Sequence, residues 1–278
     1  MGPNHDRDPG PRCSWHLPCS VSADVSTDGA CNVNRGLYTV ASGGVAALAR
    51  LDAAAQNLAN VNTAGYKASR PIFRLRPLAS DVTGGIDPVL NRTSAQVVEA
   101  QTNYDFSSGP VRDTGGPLDV ALTGNEWFVV STRSGERYTR QGSFALDREG
   151  YVVTGHGDRV QGDGGDIQLA QGEVAITANG RVVQDGKDKG QLKLVRFGAA
   201  PALVPEGGTL FRNVGTPPAP VEGREMRVVP GALEGANVDA VRGLVDLVDI
   251  SRAYESYMNA LRNLDDLTKK SINDVGRF

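Results

Sequence analysis

Few residues of this chain are of a kind that performs chemistry, and their placement limits what they could do. Cys13 and His16 stand at the C-x-x-H spacing that zinc sites use, but no second pair follows at a finger distance. The other thiols, Cys19 and Cys31, lie in the same polar stretch, and three cysteines confined to one end cannot staple a fold. His156, in Gly155-His156-Gly157, is the one histidine beyond residue 16, and with no cysteine or Gly-x-Ser-x-Gly elbow to accompany it, it reads as a turn residue. The run Gly162-Asp163-Gly164-Gly165-Asp166 has the make-up of a calcium-binding repeat. Such repeats need stacked copies to supply enough oxygens, and a single copy reads better as a glycine-rich hairpin. Asp246, Asp249, Asp265 and Asp266 fall off the apolar stripe of their segment, as a solvated or inter-subunit helix face would place them. The expectation is a protein that is not an enzyme, with no catalytic, cofactor or metal site.

Composition narrows the partners. A net charge of −3 over 278 residues, without a cluster of Lys and Arg, argues against nucleic acid or an anionic membrane surface. No run approaches the roughly 18 apolar residues of a membrane span. Residues 1–34 lack the apolar core of a secretory signal and carry Pro3, Pro9, Pro11 and Pro18, so they read as a disordered or spurious extension. Val33 is a candidate start of translation, because GTG initiates in bacteria.

The elements that would position functional residues lie at the two ends. Leu37, Ala41, Gly44, Leu48, Leu51, Ala55 and Leu58 recur in alternating steps of four and three, the seam of an amphipathic helix over residues 35–60. A second seam runs through Ala240, Gly243, Leu247, Ile250, Tyr254, Tyr257, Leu261 and Leu264 in a helix expected from Asn237 to Ile272, roughly 50 Å long at 1.5 Å per residue. Asn237 is the expected cap, Asp239 suits the positive end of the dipole, and Lys269 and Lys270 suit the negative end. Gly43-Gly44 weakens the first helix by about 1 kcal/mol per glycine. Asn57 to Lys67, rich in Asn and containing Gly65, is suited to ending that helix.

Between the helices the pattern changes. Residues 67–108 read as a polar connector with a strand pair, including the extended piece Ile72–Leu75. Residues 109–230 read as an all-β domain with short strands around Leu118–Leu122, which alternates, Trp127–Val130, a buried run, and Tyr138–Phe144, Tyr151–Val153, Ile167–Leu169, Val174–Thr177, Arg181–Gln184 and Gln191–Phe197. Turns are expected at Glu149-Gly150 and Asn179-Gly180. Residues 231–278 carry the second helix. The expected class is α+β: long N- and C-terminal helices pairing as a coiled-coil-like element and flanking a central all-β domain.

The run Asn57-Leu58-Ala59-Asn60-Val61-Asn62-Thr63-Ala64-Gly65-Tyr66-Lys67 resembles the N-terminal signature of the bacterial flagellar rod and hook family. Leu233-Glu234-Gly235-Ala236-Asn237-Val238-Asp239 followed by Ser251-Arg252-Ala253-Tyr254-Glu255 resembles that family's C-terminal signature, and Gly116–Leu122 with Tyr138–Phe144 its central domain. Within the family the likeness is nearer to proximal than to distal rod members, while hook members carry a larger middle insertion. The chain departs from the pattern at Gln56 and at Arg242-Gly243.

The resemblance implies a structural subunit whose terminal helices pair and pack against those of neighbours, building a helical drive shaft for motility in the basal body. It implies as partners copies of this chain and other rod proteins, and passage through the flagellar type III export apparatus without a cleaved signal. Exposed apolar stripes and non-closing contacts fit a filament, and the ends are expected to order on assembly. A distal rod or hook-type subunit is the alternative within the family. From another class, a secreted β-rich binding module dimerised by its helices would require a pocket of converging polar groups.

Overall fold

In the computed structural model the chain is described over residues 28–77, 96–170, 172–198, 202–221 and 226–275. Cys13, His16, Cys19 and most of the expected extension lie outside these residues. Helix α1 spans Asp28–Ala59 and helix α2 Ala240–Val275, flanking a β-rich region. Two antiparallel strands follow α1, β1 (Ser69–Pro77) and β2 (Gln96–Tyr104). The first half of the β-region holds β3 (Val111–Asp113), β4 (Val120–Leu122), β5 (Glu126–Thr132), β6 (Gly135–Thr139), β7 (Phe144–Leu146), β8 (Val152–Thr154), β9 (Arg159–Gly162) and β10 (Gly165–Asp166). The second half holds β11 (Val174–Ile176), β12 (Arg181–Gln184), β13 (Lys187–Gln191), β14 (Leu194–Arg196), β15 (Leu203–Gly207), β16 (Leu210–Asn213), β17 (Ala219–Pro220), β18 (Val228–Pro230) and β19 (Ala232–Glu234).

The first helix begins seven residues before the expected Arg35. A nucleated helix gains one hydrogen bond for each further residue, and no proline stands between Pro18 and Pro71 to stop it. The second runs to Val275, so Lys269 and Lys270 fall short of the last turn, and Lys269 instead meets Asp265 one turn back at 2.6 Å. The capping expectation is corrected too. Asp239, next to the helix, accepts the amides of Val241 and Arg242 at 2.9 and 3.1 Å, and Asn237 is bonded elsewhere.

The sheet is built on β5, which has β6 along one edge and divides the other between β14 and β9. Its apolar run has a reason. Phe128 and Val130 enter one buried cluster with Val120, Phe144, Val152 and Leu192, while Trp127 and Val129 enter a second with Tyr138, Phe197 and Phe211. The Trp127 ring meets Phe106, Phe197 and Phe211 edge-to-face at centroid distances of 5.6, 6.1 and 5.3 Å, the arrangement that ring quadrupoles favour.

Several expected strands change form. Val120, Ala121 and Leu122 do not alternate; all are buried, because β18 pairs along β4 and the Val120 amide bonds to Gly142. Tyr138–Phe144 divides into β6 and β7 around Arg140–Ser143, and Gln191–Phe197 into β13 and β14. Ile167–Leu169 forms no named strand and contributes an isolated bridge from Gln168 to Tyr151. The Gly162–Asp166 run is a hairpin, with Gly162 opposite Gly165. Ile72–Leu75 lies in β1, whose register with β2 runs from Ser69 opposite Tyr104 to Pro77 opposite Gln96.

Trp127 is 1% exposed at the hub of these rings. Trp127→Ala is expected to destabilise the chain by about 3–5 kcal/mol, read as a lower urea midpoint.

Candidate functional site

The ends of the chain meet at a buried junction. Helix α1 finishes at Ala59, where the amide of Asn60 bonds back to Gln56 and Asn57 and the Asn60 side chain donates to Gln56 O at 2.9 Å. Asn60 also accepts the Thr63 hydroxyl at 3.2 Å. Six residues past the helix end, Gly65 takes φ +69°, and its amide donates to the carbonyl of Glu234 at 2.8 Å. A Cβ at Gly65 would collide with the backbone of Arg140 and Gln141. Gly65 is thus left-handed as its type suggests, but it permits a close approach rather than terminating the helix. Asn57 closes the loop: its Nδ2 donates to Ser69 O at 2.8 Å, and its Oδ1 accepts the Ser69 amide at 2.9 Å and the Tyr66 hydroxyl at 3.0 Å.

Lys67 follows, with no exposed side-chain surface. Its Nζ donates to Glu234 Oε1 at 2.8 Å and to Ser107 O at 2.7 Å. Glu234 Oε1 also accepts the amide of Gly109 at 2.9 Å, while Oε2 faces Arg140 Nη1 at 3.4 Å. Arg140 Nη2 donates to Gly124 O at 2.7 Å, and the guanidinium stands 5.5 Å from the Trp127 ring centroid. Burial pushes the Lys67 ammonium and the Arg140 guanidinium below their ordinary pKa values, and the Glu234 charge opposes this for both. A second stitch lies alongside. Asn237 Oδ1 accepts the Ala68 amide at 2.8 Å, and its Nδ2 donates to Asp105 O at 2.7 Å and to Ser107 Oγ at 3.1 Å. Gly235 donates to Pro110 O at 2.8 Å, and its own carbonyl occupies the space a Cβ at Gly109 would need.

From this junction the helices run together. Leu58 lies against Gly243, where a Cβ would be 3.9 Å from its Cδ1, and Tyr257 lies over Gly43, where a Cβ would come within 2.7 Å of its ring. Sequence positions rise along one helix as they fall along the other, so the pair is antiparallel. Of the first stripe, Gly44 is buried, Leu37, Ala41, Leu51 and Leu58 are half-buried, and Leu48 and Ala55 are exposed. Ala47, outside the expected stripe, is buried instead. Of the second, Leu247, Ile250, Tyr254, Leu261 and Leu264 are half-buried, and Tyr257 remains 39% exposed although its ring covers Gly43. A further apolar strip was not anticipated: Val241, Leu244, Val245 and Val248 are exposed on α2, as are Tyr38 and Val45 on α1. The repeat 241, 244/245, 248 is legible as a pattern, but only the fold shows that it faces away from α1.

A cleft of about 670 Å³ opens between α1, β1 and α2, with Asn57, Asn237, Asp246 and Asp249 among its lining. Asp265 and Asp266 are exposed on α2 and meet Lys269. His156 is an exposed turn residue beside Gly208. Among the described residues no cluster of His, Cys, Asp and Glu is placed to hold a metal, and no helix is long and apolar enough to cross a membrane.

Three family models match this chain: "Flagella basal body rod protein" over residues 37–67, "Flagellar hook protein FlgE/F/G D1 domain" over 121–184 and "Flagellar basal body rod FlgEFG protein C-terminal" over 229–274. The flagellar basal-body rod protein FlgF of Caulobacter vibrioides is 34% identical over 233 residues, covering 82% of this chain and 92% of that protein. FlgF of Escherichia coli is 30% identical over 84% of this chain and 95% of its own length, and the rod protein FlgG of Bacillus subtilis 30% identical over 86% and 98%. The chain belongs to the flagellar basal-body rod family.

In this rod-family chain the signature residues divide by role. Asn57, Asn60, Thr63, Gly65, Tyr66, Lys67, Glu234, Gly235 and Asn237 build the junction. Val238 is half-buried beside it, whereas Ala59, Arg252, Ala253 and Glu255 are exposed on the helices. Ser107 and Gly109 were missed by sequence reading, and Arg140 was read only as part of the central-domain motif Tyr138–Phe144, because nothing local marks a residue that serves a partner about a hundred positions away. Glu234→Gln would leave Lys67 and Arg140 buried around a neutral amide. A loss of about 3–5 kcal/mol is expected, measured by urea unfolding, and Asp at 234 should recover only part of it because its shorter side chain cannot reach both cations.

Proposed function

We propose that this chain is a structural, non-catalytic subunit of the bacterial flagellar rod, of the proximal rod type, and that it polymerises through its terminal helices. The observation that carries this reading is the joint itself. Signature residues from opposite ends of the chain converge on one buried junction, and the antiparallel helices leaving it keep apolar outer faces. Val241, Leu244, Val245 and Val248 lie exposed on those faces, and contiguous exposed apolar surface of this kind marks a contact with another protein. Leu48, Ala55 and Tyr257 contribute to the inter-subunit surface, while the half-buried members of both stripes hold the pair in coiled-coil-like packing. Contacts repeated from copy to copy without closing a ring extend into a helical shaft.

The partners are copies of this chain and other rod proteins. The location is the rod where it crosses the periplasm, reached through the flagellar type III export apparatus without a cleaved signal peptide. Identity of 34% to a rod protein over most of both chains weighs against a secreted binding module.

Val245 is 54% exposed, so Val245→Asp should leave the free subunit's stability within about 0.5 kcal/mol while placing a charge in the inter-subunit surface. Cells carrying it are expected to lose swimming and to lack this subunit in isolated basal bodies. Normal motility would overturn the assignment of this face.

A further inference from the structure

We propose that Asn179 is a deamidation site whose rate the fold sets, so that loss of its side-chain amide records how often the β11–β12 hairpin opens. Asn179-Gly180 is the one Asn-Gly step in the 278 residues. It forms the turn between β11 and β12, where Gly180 takes φ +72° and Asn179 is exposed. Glycine after asparagine favours the reaction, because no Cβ shields its amide nitrogen. That nitrogen gives up its proton and attacks Asn179 Cγ. The new C–N bond displaces the side-chain nitrogen as ammonia and closes a succinimide ring. Water then opens the ring at either carbonyl, giving aspartate or isoaspartate, so that one water enters for each ammonia lost and nothing is oxidised or reduced.

Ring closure needs a backbone freedom that the folded turn withholds. Gly180 donates its N–H to Thr177 O at 2.9 Å, which engages the proton that must leave. Asn179 O accepts Gln191 Nε2 at 3.1 Å, so the peptide between the two residues is held at its oxygen as well as its nitrogen. On either side, Ala178 O accepts the Val228 amide at 3.3 Å and Gly180 O accepts the Leu192 amide at 2.8 Å. Gly180 is buried, and a Cβ there would lie 3.2 Å from Met226 Sδ, so the turn is packed against β18's approach as well as bonded. Turning the Gly180 nitrogen toward Cγ breaks these bonds together. The reaction therefore runs through the fraction of molecules in which the hairpin has opened.

Incubating the purified full chain in mildly alkaline buffer made with heavy-oxygen water, and counting aspartate and isoaspartate at 179 by peptide mass mapping, tests this. Deamidation is expected to be at least about tenfold slower in the folded chain than in the same chain unfolded in guanidinium at the same pH and temperature. Gln191→Ala removes the donor to Asn179 O and should raise the folded rate about two- to tenfold, the population factor of one lost hydrogen bond, while leaving the unfolded rate unchanged. If Gln191→Ala disturbs the sheet, Trp127 emission reports it. Thr177→Ala, which removes the hydroxyl bonded to the Arg181 amide and carbonyl, then makes the same test from the other strand. Equal rates in the folded and unfolded chain would overturn the proposal. So would an unfolded chain that gives no product at Asn179, or a folded rate that neither substitution raises.

Discussion

The fold depends on placing two cations around one carboxylate away from water. Lys67 comes from the loop between the first helix and β1, Arg140 from the β-region and Glu234 from the strand that leads to the second helix, so the cluster exists only when all three segments are in place. Desolvation works against each cation, and the shared Glu234 charge together with the donors and acceptors of Gly109, Ser107 and Gly124 offsets it. Such a group is unforgiving: removing one member leaves the others buried without compensation. Gly65 and Gly109 matter for the same reason, since a side chain at either would keep the backbones too far apart for the ions to meet.

The helix pair inherits its direction from that site. Gly43-Gly44 would be a local weakness in an isolated helix, yet here the missing side chains let the Tyr257 ring lie against the first helix. Helix propensity is given up for closeness of approach. The same economy of packing leaves Val241, Leu244, Val245 and Val248 uncovered, because a two-helix contact can bury only one stripe of each cylinder. A molecule organised this way has a closed joint at its base and open apolar faces above it, as a subunit that completes its packing with neighbours would have.

Much of the architecture was legible in sequence because its signals are local. Steps of three and four marked both helices, the Gly-rich run at 162–166 marked a hairpin, and the apolar run at Trp127–Val130 marked a strand covered on both sides. Errors arose where one residue type satisfies two local rules. Asn237 and Asp239 both suit a helix cap; the residue nearer the first turn took the role, and Asn237 was free to bind Ala68 and Asp105. Val120–Leu122 looked half-buried because alternation cannot reveal that another strand and the Gly142 backbone cover the second face.

By itself the sequence determined the succession of helix, strands and helix, the two apolar seams, and the signature residues at each end that identify the rod family. Those properties follow from periodicity and from short-range turn and cap chemistry, which need no distant partner. Only the tertiary structure decided what the signatures are for. Lys67 and Glu234 are 167 positions apart, and neither carries a local mark of its partner, since pairing of buried charges is set by which surfaces the folded chain brings together. It also decided which apolar positions remain outside, because exposure belongs to the packed pair and not to either helix alone.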